Sequence, residues 1–466
     1  MDLKEITVVL QDQEKLDPIQ KISNPINALK TVAILQMIVW HCYFFIRFLP
    51  LQLHSGLIVR SFIEIGDFSG DMYALLSGFL LTYTLSHKNY DKNSWKKWYE
   101  KRIIRIYPIF IIATIAYVLY YYFIDGRLSS LNAIFIHMSG LQSIPTQPLA
   151  VFLRIESSHW FITFILICYA IFPIFYYFLK KNFRLTTIIT IFLYIVYLVY
   201  SHAIYQGLKG GISMIFQENL YWWQFALTTL RYFDFLFGMI IGYYFAKKPQ
   251  QILQFLQNRK VGLIAIVSFT ILVFTYVLYN IWRYTLLDLP IILYNPLFAL
   301  LFFIIIINVL QKNKRISKIL GSPGKLLYEV FLFHPLIIFL TSNIFLDFLG
   351  IQRTIELIII LIPIIIIVSF IVAIPFYHLG ELIKNRTKWH RTIMMFIIPL
   401  IIYGIISIVL DYSKGKLFDF GQVTNNFFAL YLYITILIIC ILSYTSFALI
   451  KRISKDKIPV LLNSDS

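Results

Sequence analysis

Long apolar runs broken by short polar segments occupy the chain from residue 31 to residue 450. A helix of about 20 predominantly apolar residues crosses the hydrocarbon layer of a bilayer. Runs of that kind lie near 31–50, 66–86, 104–124, 160–179, 185–203, 225–246, 261–281, 290–310, 327–348, 355–377, 393–410 and 427–450. In lipid, backbone polar groups must be satisfied within the segment or in a closed barrel, and runs this long suit helices. The pattern therefore predicts an all-α, polytopic transmembrane helix bundle of about twelve spans. Residues 1–28 read as a cytoplasmic segment with neither the short apolar core nor the cleavage site of a signal peptide. Residues 29–385 read as a ten-helix membrane domain, 386–450 as two additional helices and 451–466 as a cytoplasmic tail. The longest stretch outside the bilayer is 125–158, on the outer side. No appended soluble domain, low-complexity linker or internal repeat is apparent.

Composition agrees with the pattern. Of the 466 residues, 59% are hydrophobic and 14% charged, too few charges for the polar surface of a soluble chain. Aromatic residues make up 18%, and many cluster at span ends, such as Tyr120, Tyr121 and Tyr122 or Trp222 and Trp223, where amphipathic rings favour the interface. The net charge of +18 would suggest nucleic acid in a soluble protein. Here the cations lie in short loops, at 87–105, 180–184, 247–260, 311–325, 384–391 and 451–457, each following an even-numbered span. The positive-inside rule then places both termini in the cytoplasm and removes the need for a nucleic-acid partner. Cys42, Cys168 and Cys440 sit inside apolar runs without metal-ligand spacing and read as small buried side chains.

Ionisable groups at membrane depth are costly and mark functional candidates. Lys30 and His41 are eleven residues apart, nearly a whole number of helical turns, so they share one face with a rise of roughly 16 Å between them. That spacing puts Lys30 at the inner surface and His41 near mid-membrane, where an imidazole is either a packed core residue or a general base at the end of a cavity. Asp67 and Asp71 share a face of the second span; either one orients His41 from the neighbouring helix or both are hydrated in an outer vestibule. Ser77-Gly78 offers a small surface for close helix packing. Arg102 and Arg105 project from one side of the third helix, a pairing suited to phosphate oxygens, although inner arginines more commonly serve topology alone. Arg231 and Asp234, three apart, suit an internal ion pair. Glu329 and His334 lie in the ninth span, where Pro335 would kink the helix. His159-Trp160 opens the fourth span, with Trp160 as an interfacial anchor.

Six segments, in order, resemble the acyltransferase-3 family of integral membrane acyltransferases, through about residues 26–385. The family's first helix carries Arg, ten residues, then His; here the pair is Lys30 and His41. SGDMYALLSGFLL at 69–81 aligns without gaps to the family's second helix. Arg102, Arg105, Tyr107 and Pro108 match its Arg-x-x-Arg before Tyr-Pro. His159, Trp160, Tyr169 and Pro173 match the His-Trp segment; Arg231, Phe235 and Gly238 match an Arg with Phe-x-x-Gly downstream. Tyr328, His334 and Pro335 match the late Tyr and His-Pro element. Two departures stand out. Lys30 replaces an arginine, and Ile165 and Leu166 occupy positions where many members carry glutamates.

The resemblance implies an enzyme of the cell membrane that moves an acyl group, often acetyl, from acyl-CoA to a hydroxyl of a cell-surface or exported carbohydrate. It implies that Lys30, Arg102 and Arg105 meet the phosphates of acyl-CoA, that His41 is the general base or a transient acyl carrier, and that Asp71 holds its tautomer. Tyr107, His159, Trp160, Arg231, Tyr328 and His334 are further site candidates. No metal and no permanently bound cofactor is called for; the implied partners are acyl-CoA, a glycan acceptor and membrane lipid. Two other readings of the same buried charges are a transporter or flippase for a lipid-linked glycan and a non-catalytic assembly subunit of a polysaccharide machine. A transporter commonly shows internal repeats.

Overall fold

The computed structural model describes residues 18–47, 65–86, 92–124, 126, 129–142, 158–209, 220–282, 295–348 and 355–414. Among the described residues the regular structure is helical and no strand occurs. The α-helices are α1 (Pro18–Arg47), α2 (Ser69–Ser86), α3 (Lys92–Phe123), α4 (Leu131–Met138), α5 (Trp160–Lys181), α6 (Phe183–Lys209) and α7 (Leu220–Lys247). They continue with α8 (Pro249–Gln257), α9 (Arg259–Trp282), α10 (Asn295–Lys312), α11 (Lys314–Gly321), α12 (Leu327–Ser342), α13 (Ile355–Asn385) and α14 (Thr387–Lys414). Each apolar run from 31–50 to 393–410 coincides with one of these helices, and 427–450 lies outside the described residues.

Among the described residues, six helical segments have the length and apolar character to cross a bilayer: Ile22–Cys42, Ser94–Phe123, Trp160–Lys181, Arg259–Leu278, Leu327–Phe345 and Ile360–Asn385. Pro296–Lys312 and Lys314–Lys325 add a seventh when taken as one element bent by 119°. The protein is a multi-pass membrane protein. The bend is written locally: Asn313 accepts a hydrogen bond from the backbone N–H of Ile316 and so caps α11. α8 is a second short piece, begun by Pro249 and burying Leu253 and Leu256 on one side.

Contacts divide the chain into two compact units, Met1–Asp91 with Ile167–Tyr377, and Lys92–Leu166 with His378–Ser466. In the first unit α1 begins at Pro18, well before the apolar run at 31–50. The reason is packing. Ile22, Ile26, Ala28 and Leu29 are buried, and α1 lies against α11 and the turn Ser322–Lys325. Gly321 and Gly324 come so close to Asn24 and Asn27 that a side chain at either glycine would crowd α1. The start of α1, within the segment read as cytoplasmic, is thus packed into the folded core.

The most extensive helix contact in this unit joins α2 to α7. Gly78 faces the backbone of Phe235 and Met239, Gly238 faces the Leu75 carbonyl, and Gly242 faces the Phe79 carbonyl. In lipid there is no hydrophobic drive to pair helices, so close backbone approach through small residues supplies van der Waals contact instead. Gly238 and Gly242 form a small-xxx-small pair for this purpose, and Gly78 meets them as the short side chain at Ser77-Gly78 suggested. Phe79, Tyr83 and Phe245 fill the flanks of the crossing and join Phe298 and Phe303 from α10 in one core cluster.

In the second unit, α3 and α14 both pack on the short helix α4. Ser130 caps α4 by accepting from the Ala133 N–H at 3.3 Å. Gly140 follows with φ +76°, a backbone conformation open to glycine at little cost. A side chain there would also strike Leu166 and the Tyr107 hydroxyl. Tyr403 of α14 donates to Asn132 Oδ1 at 2.6 Å and packs on Phe135.

Replacing Gly238 with leucine forces α2 and α7 apart, an overpacking expected to cost about 3 kcal/mol. The measurement is thermal unfolding in detergent: Gly238→Leu melts well below wild type, whereas an unchanged melting temperature would show that the close crossing does not hold the unit together.

Candidate active site

The centre of the first unit is a pair of imidazoles. His41 on α1 and His334 on α12 are both buried. Nδ1 of His41 lies 2.6 Å from Nε2 of His334, and the rings are nearly parallel, 14° between planes. His334 falls in the middle third of the apolar segment Leu327–Phe345, so the pair sits well inside the apolar layer. Trp40 packs beside His41 with ring centres 4.9 Å apart.

The far side of His334 fixes its proton. Its Nδ1 is 3.0 Å from the Val330 carbonyl oxygen and 2.9 Å from that of Phe331. A nitrogen lone pair aimed at two acceptors is repulsive, so Nδ1 carries the hydrogen and donates. The local sequence explains why Phe331 can accept. Its helical partner four residues on would be the N–H of residue 335, and Pro335 has none. Pro335 thus leaves a carbonyl open, and the side chain of the preceding residue, His334, fills it. Instead of breaking the helix at Pro335, the chain stays helical from Leu327 to Ser342.

With Nδ1–H of His334 committed, an uncharged His334 ring can only accept at Nε2. Nδ1 of His41 must then be the donor in the 2.6 Å contact, which leaves the Nε2 lone pair as the basic site of an uncharged His41. The partner at His41 Nδ1 is therefore His334, whereas the family resemblance gave the holding of the tautomer to Asp71.

Asp71 takes part in a different contact. Arg231 Nε donates to Asp71 Oδ1 at 3.2 Å, from α7 to α2. Asp234, one turn along α7, is buried beside them. The guanidinium expected to pair within its own helix thus also reaches across the crossing formed by Gly78, Gly238 and Gly242. Asp67 lies in the turn Ile65–Phe68, and its side chain is outside the described residues. Lys30 is half-buried on α1, and its carbonyl accepts from the Tyr73 hydroxyl at 2.7 Å. Glu329 is buried, and Tyr328 half-buried, in the first turn of α12.

The remaining candidates belong to the second unit. Arg105 is exposed on α3; Arg102 is half-buried, its guanidinium 5.4 Å from the centre of the Trp98 ring. The Tyr107 hydroxyl donates to the Ser139 carbonyl at 2.7 Å and holds the turn after α4. Trp160 packs edge-on against Phe161 and Phe164. His159 is fully buried with Nδ1 3.0 Å from Nε2 of His137. His137 is a residue that the sequence reading passed over, because it sits in the stretch read as an outer loop. Burial, with the His159 ring beside it, holds the His137 imidazole well below its usual pKa range. Phe110 stacks on His137, Tyr117 meets His159 edge-on, and the Gln142 amide donates to the His159 carbonyl at 2.7 Å. Ile165, in place of a family glutamate, is buried, and Leu166 lies against Gly140.

A buried imidazole pair with a defined donor direction can exchange a proton with a hydroxyl. The order of motifs along the chain is the second line of evidence. The family model described as an acyltransferase domain, Acyl_transf_3, matches residues 24–378, from the early turns of α1 to the late part of α13. No curated protein and no solved structure matches the chain. The match takes in the imidazole pair, the α2–α7 crossing and the arginines of α3, and the chain belongs to the acyltransferase-3 family of membrane acyltransferases.

Proposed function

We propose that the protein is an O-acyltransferase of the cell membrane that moves an acyl group, acetyl in the simplest case, from cytoplasmic acyl-CoA to a hydroxyl of a cell-surface or exported carbohydrate. The observation that carries this reading is the hydrogen-bond chain from the Val330 and Phe331 carbonyls through His334 to His41. It leaves Nε2 of His41 to act as a base. In the reaction Nε2 takes the proton of the acceptor hydroxyl as its oxygen attacks the thioester carbonyl. The carbon–sulfur bond then breaks, and the thiolate of CoA leaves and recovers the proton from His41. His334 is a positioning residue. It holds the tautomer of His41 and accepts a stronger hydrogen bond as positive charge develops on that ring.

The family resemblance assigns the donor's phosphates to Lys30 on α1 and to Arg102 and Arg105 on α3. Guanidinium forks grip phosphate oxygens in pairs, while a lysine contributes a point charge. A bundle of twelve spans with both ends in the cytoplasm is the topology that the positive-inside pattern supports for this chemistry. It keeps the nucleotide in the cytosol while the acyl carbon reaches His41.

His41→Ala is expected to lower acyl transfer from radiolabelled acetyl-CoA to a glycan acceptor by about 10²–10⁴-fold with the folded protein intact; transfer at the wild-type rate would remove His41 from the chemistry. His334→Ala is expected to lower kcat by roughly tenfold to hundredfold with KM for the donor little changed. Nitrogen-15 spectra of histidine-labelled protein report the tautomer directly, and His41 should lose its single Nδ1–H form in the same variant. An unaltered tautomer, or a loss shared equally by KM, would assign His334 to packing. Arg105→Ala is expected to weaken donor binding by about tenfold, as for a lost charge-assisted hydrogen bond. Calorimetric titration with a non-hydrolysable acyl-CoA analogue measures it, and an unchanged affinity would leave the arginine with topology alone.

A further inference from the structure

Two helices of the first unit end in nearly the same six residues. Tyr176-Tyr177-Phe178-Leu179-Lys180-Lys181 closes α5, and Tyr243-Tyr244-Phe245-Ala246-Lys247-Lys248 ends α7 and leads into α8. The spacing of four sets each lysine one turn beyond a tyrosine on the same face. Each ammonium lies near the ring below it. Lys180 is 6.0 Å from the Tyr176 centre and Lys181 6.0 Å from that of Tyr177. Lys247 is 4.7 Å from Tyr243 and Lys248 5.8 Å from Tyr244.

The two ends also meet. Tyr176 packs edge-on against Tyr243 at 6.5 Å. Phe183, the first residue of α6, stacks on Tyr243 at 5.6 Å and on Tyr244 at 6.0 Å. Three of the ammonium groups, those of Lys180, Lys247 and Lys248, therefore stand over rings that touch one another through Tyr243 and Phe183, and Lys181 stands over Tyr177 one residue along α5, with the positive end of the α6 dipole beside them. All four lysines are exposed, as is Arg184. No acidic residue occurs in 157–217 or in 235–287, so no nearby segment of the sequence supplies a carboxylate.

Lysines at the end of a helix offset the negative pole of its own dipole. That accounts for a cation on each helix. It does not account for two adjacent cations on each of two touching helices, all four set over tyrosine rings. We propose that this platform binds the phosphate headgroup of an anionic membrane lipid in the leaflet where α5 and α7 end. Several cations converge there, as recognition of a lipid phosphate requires. The platform also offers apolar contact that a free phosphate cannot use: Tyr177 is 58% exposed and Phe178 49%, placed to run along an acyl chain. The amphipathic α8, directly after Lys248, suits the same interfacial level. The positive-inside expectation makes this the cytoplasmic leaflet, where anionic lipids attract such clusters.

The test is a titration of the full-length protein, purified in detergent, with phosphatidylglycerol or phosphatidylcholine of identical acyl chains, read by native mass spectrometry. Wild type is expected to bind the anionic lipid at least about tenfold more tightly, from roughly 1 kcal/mol per engaged lysine. The quadruple variant Lys180→Gln, Lys181→Gln, Lys247→Gln and Lys248→Gln should reduce that preference to about twofold or less. Tyr177→Leu combined with Tyr244→Leu keeps every charge, and with it the topology signal, and should lose part of the preference. A control with Lys312, Lys314, Lys318 and Lys325 changed to Gln should retain it. Three outcomes would overturn the assignment: equal binding of the two lipids by wild type, an equal loss in the control, or displacement of the lipid by inorganic phosphate or coenzyme A at equivalent phosphate concentration.

Discussion

The hydrogen bond between His41 and His334 is the interaction on which the functional centre depends. Within an apolar layer a polar nitrogen has no water to turn to, and leaving one unmatched costs several kcal/mol or a change in protonation. The protein meets that demand with a chain of two rings anchored on backbone carbonyls. Because a carbonyl can only accept, the anchor has a direction, and that direction passes through both rings to Nε2 of His41. A carboxylate at the same place would orient the ring equally well but would add a charge to desolvate, with the penalty that buried ions carry. Two imidazoles give the orientation without the ion. Pro335 is what makes the anchor available, since a residue with an N–H at that position would compete for the Phe331 carbonyl.

The charged groups are treated differently. Asp71, Arg231 and Asp234 are all buried, and the price of burying them is offset by their mutual contact across α2 and α7. That contact requires the two backbones to approach closely, and glycines at 78, 238 and 242 permit it. The ion pair and the glycine seam therefore support one another: the seam brings Asp71 to Arg231, and the pair resists sliding of one helix along the other. This explains why Asp71 sits in a motif-bearing segment although the partner at His41 Nδ1 is a histidine. Asp71 joins α2 to α7 through Arg231.

Much of this was legible in the sequence for a physical reason. Length and apolar character are local properties, so the helices between 31 and 410 appear where the runs lie. Individual motif residues such as His41, Arg231 and His334 stand out because ionisable groups are rare in apolar helices. Partnership was not legible, because it joins residues far apart in the chain: His41 with His334, and Asp71 with Arg231. Helical periodicity relates neighbours within a helix and says nothing about which helix comes to lie alongside. The rule of three and four residues could therefore place Asp234 near Arg231 and Asp71 near Asp67, but not Asp71 near Arg231. The early start of α1 was hidden for the opposite reason. Residues 18–30 precede the first apolar run, and the burial of Ile22, Ile26, Ala28 and Leu29 is decided by α11, whose own fold-back follows a bend that hydropathy does not record. His137 was hidden by its setting, in an apolar helix of only 8 residues, too brief to read as a span.

The family match ends at residue 378, while α14 extends from Thr387 to Lys414. An extension of that kind could have been a helix tethered to a finished domain. The contacts within the second unit argue otherwise. Tyr403 donates to Asn132 with its ring fully within the core, and Gly404 leaves room for Ser139 where a larger residue would collide with it. Ser139 is also the residue whose carbonyl accepts from Tyr107, a motif residue of α3. The turn that follows α4 is thus gripped from one side by a family residue and from the other by the extension. Because that turn stands between His137 and the Gln142 amide that holds His159, α14 stabilises a buried polar cluster that lies within the family domain. A helix outside the matched segment has in this way become part of what keeps a motif histidine in place.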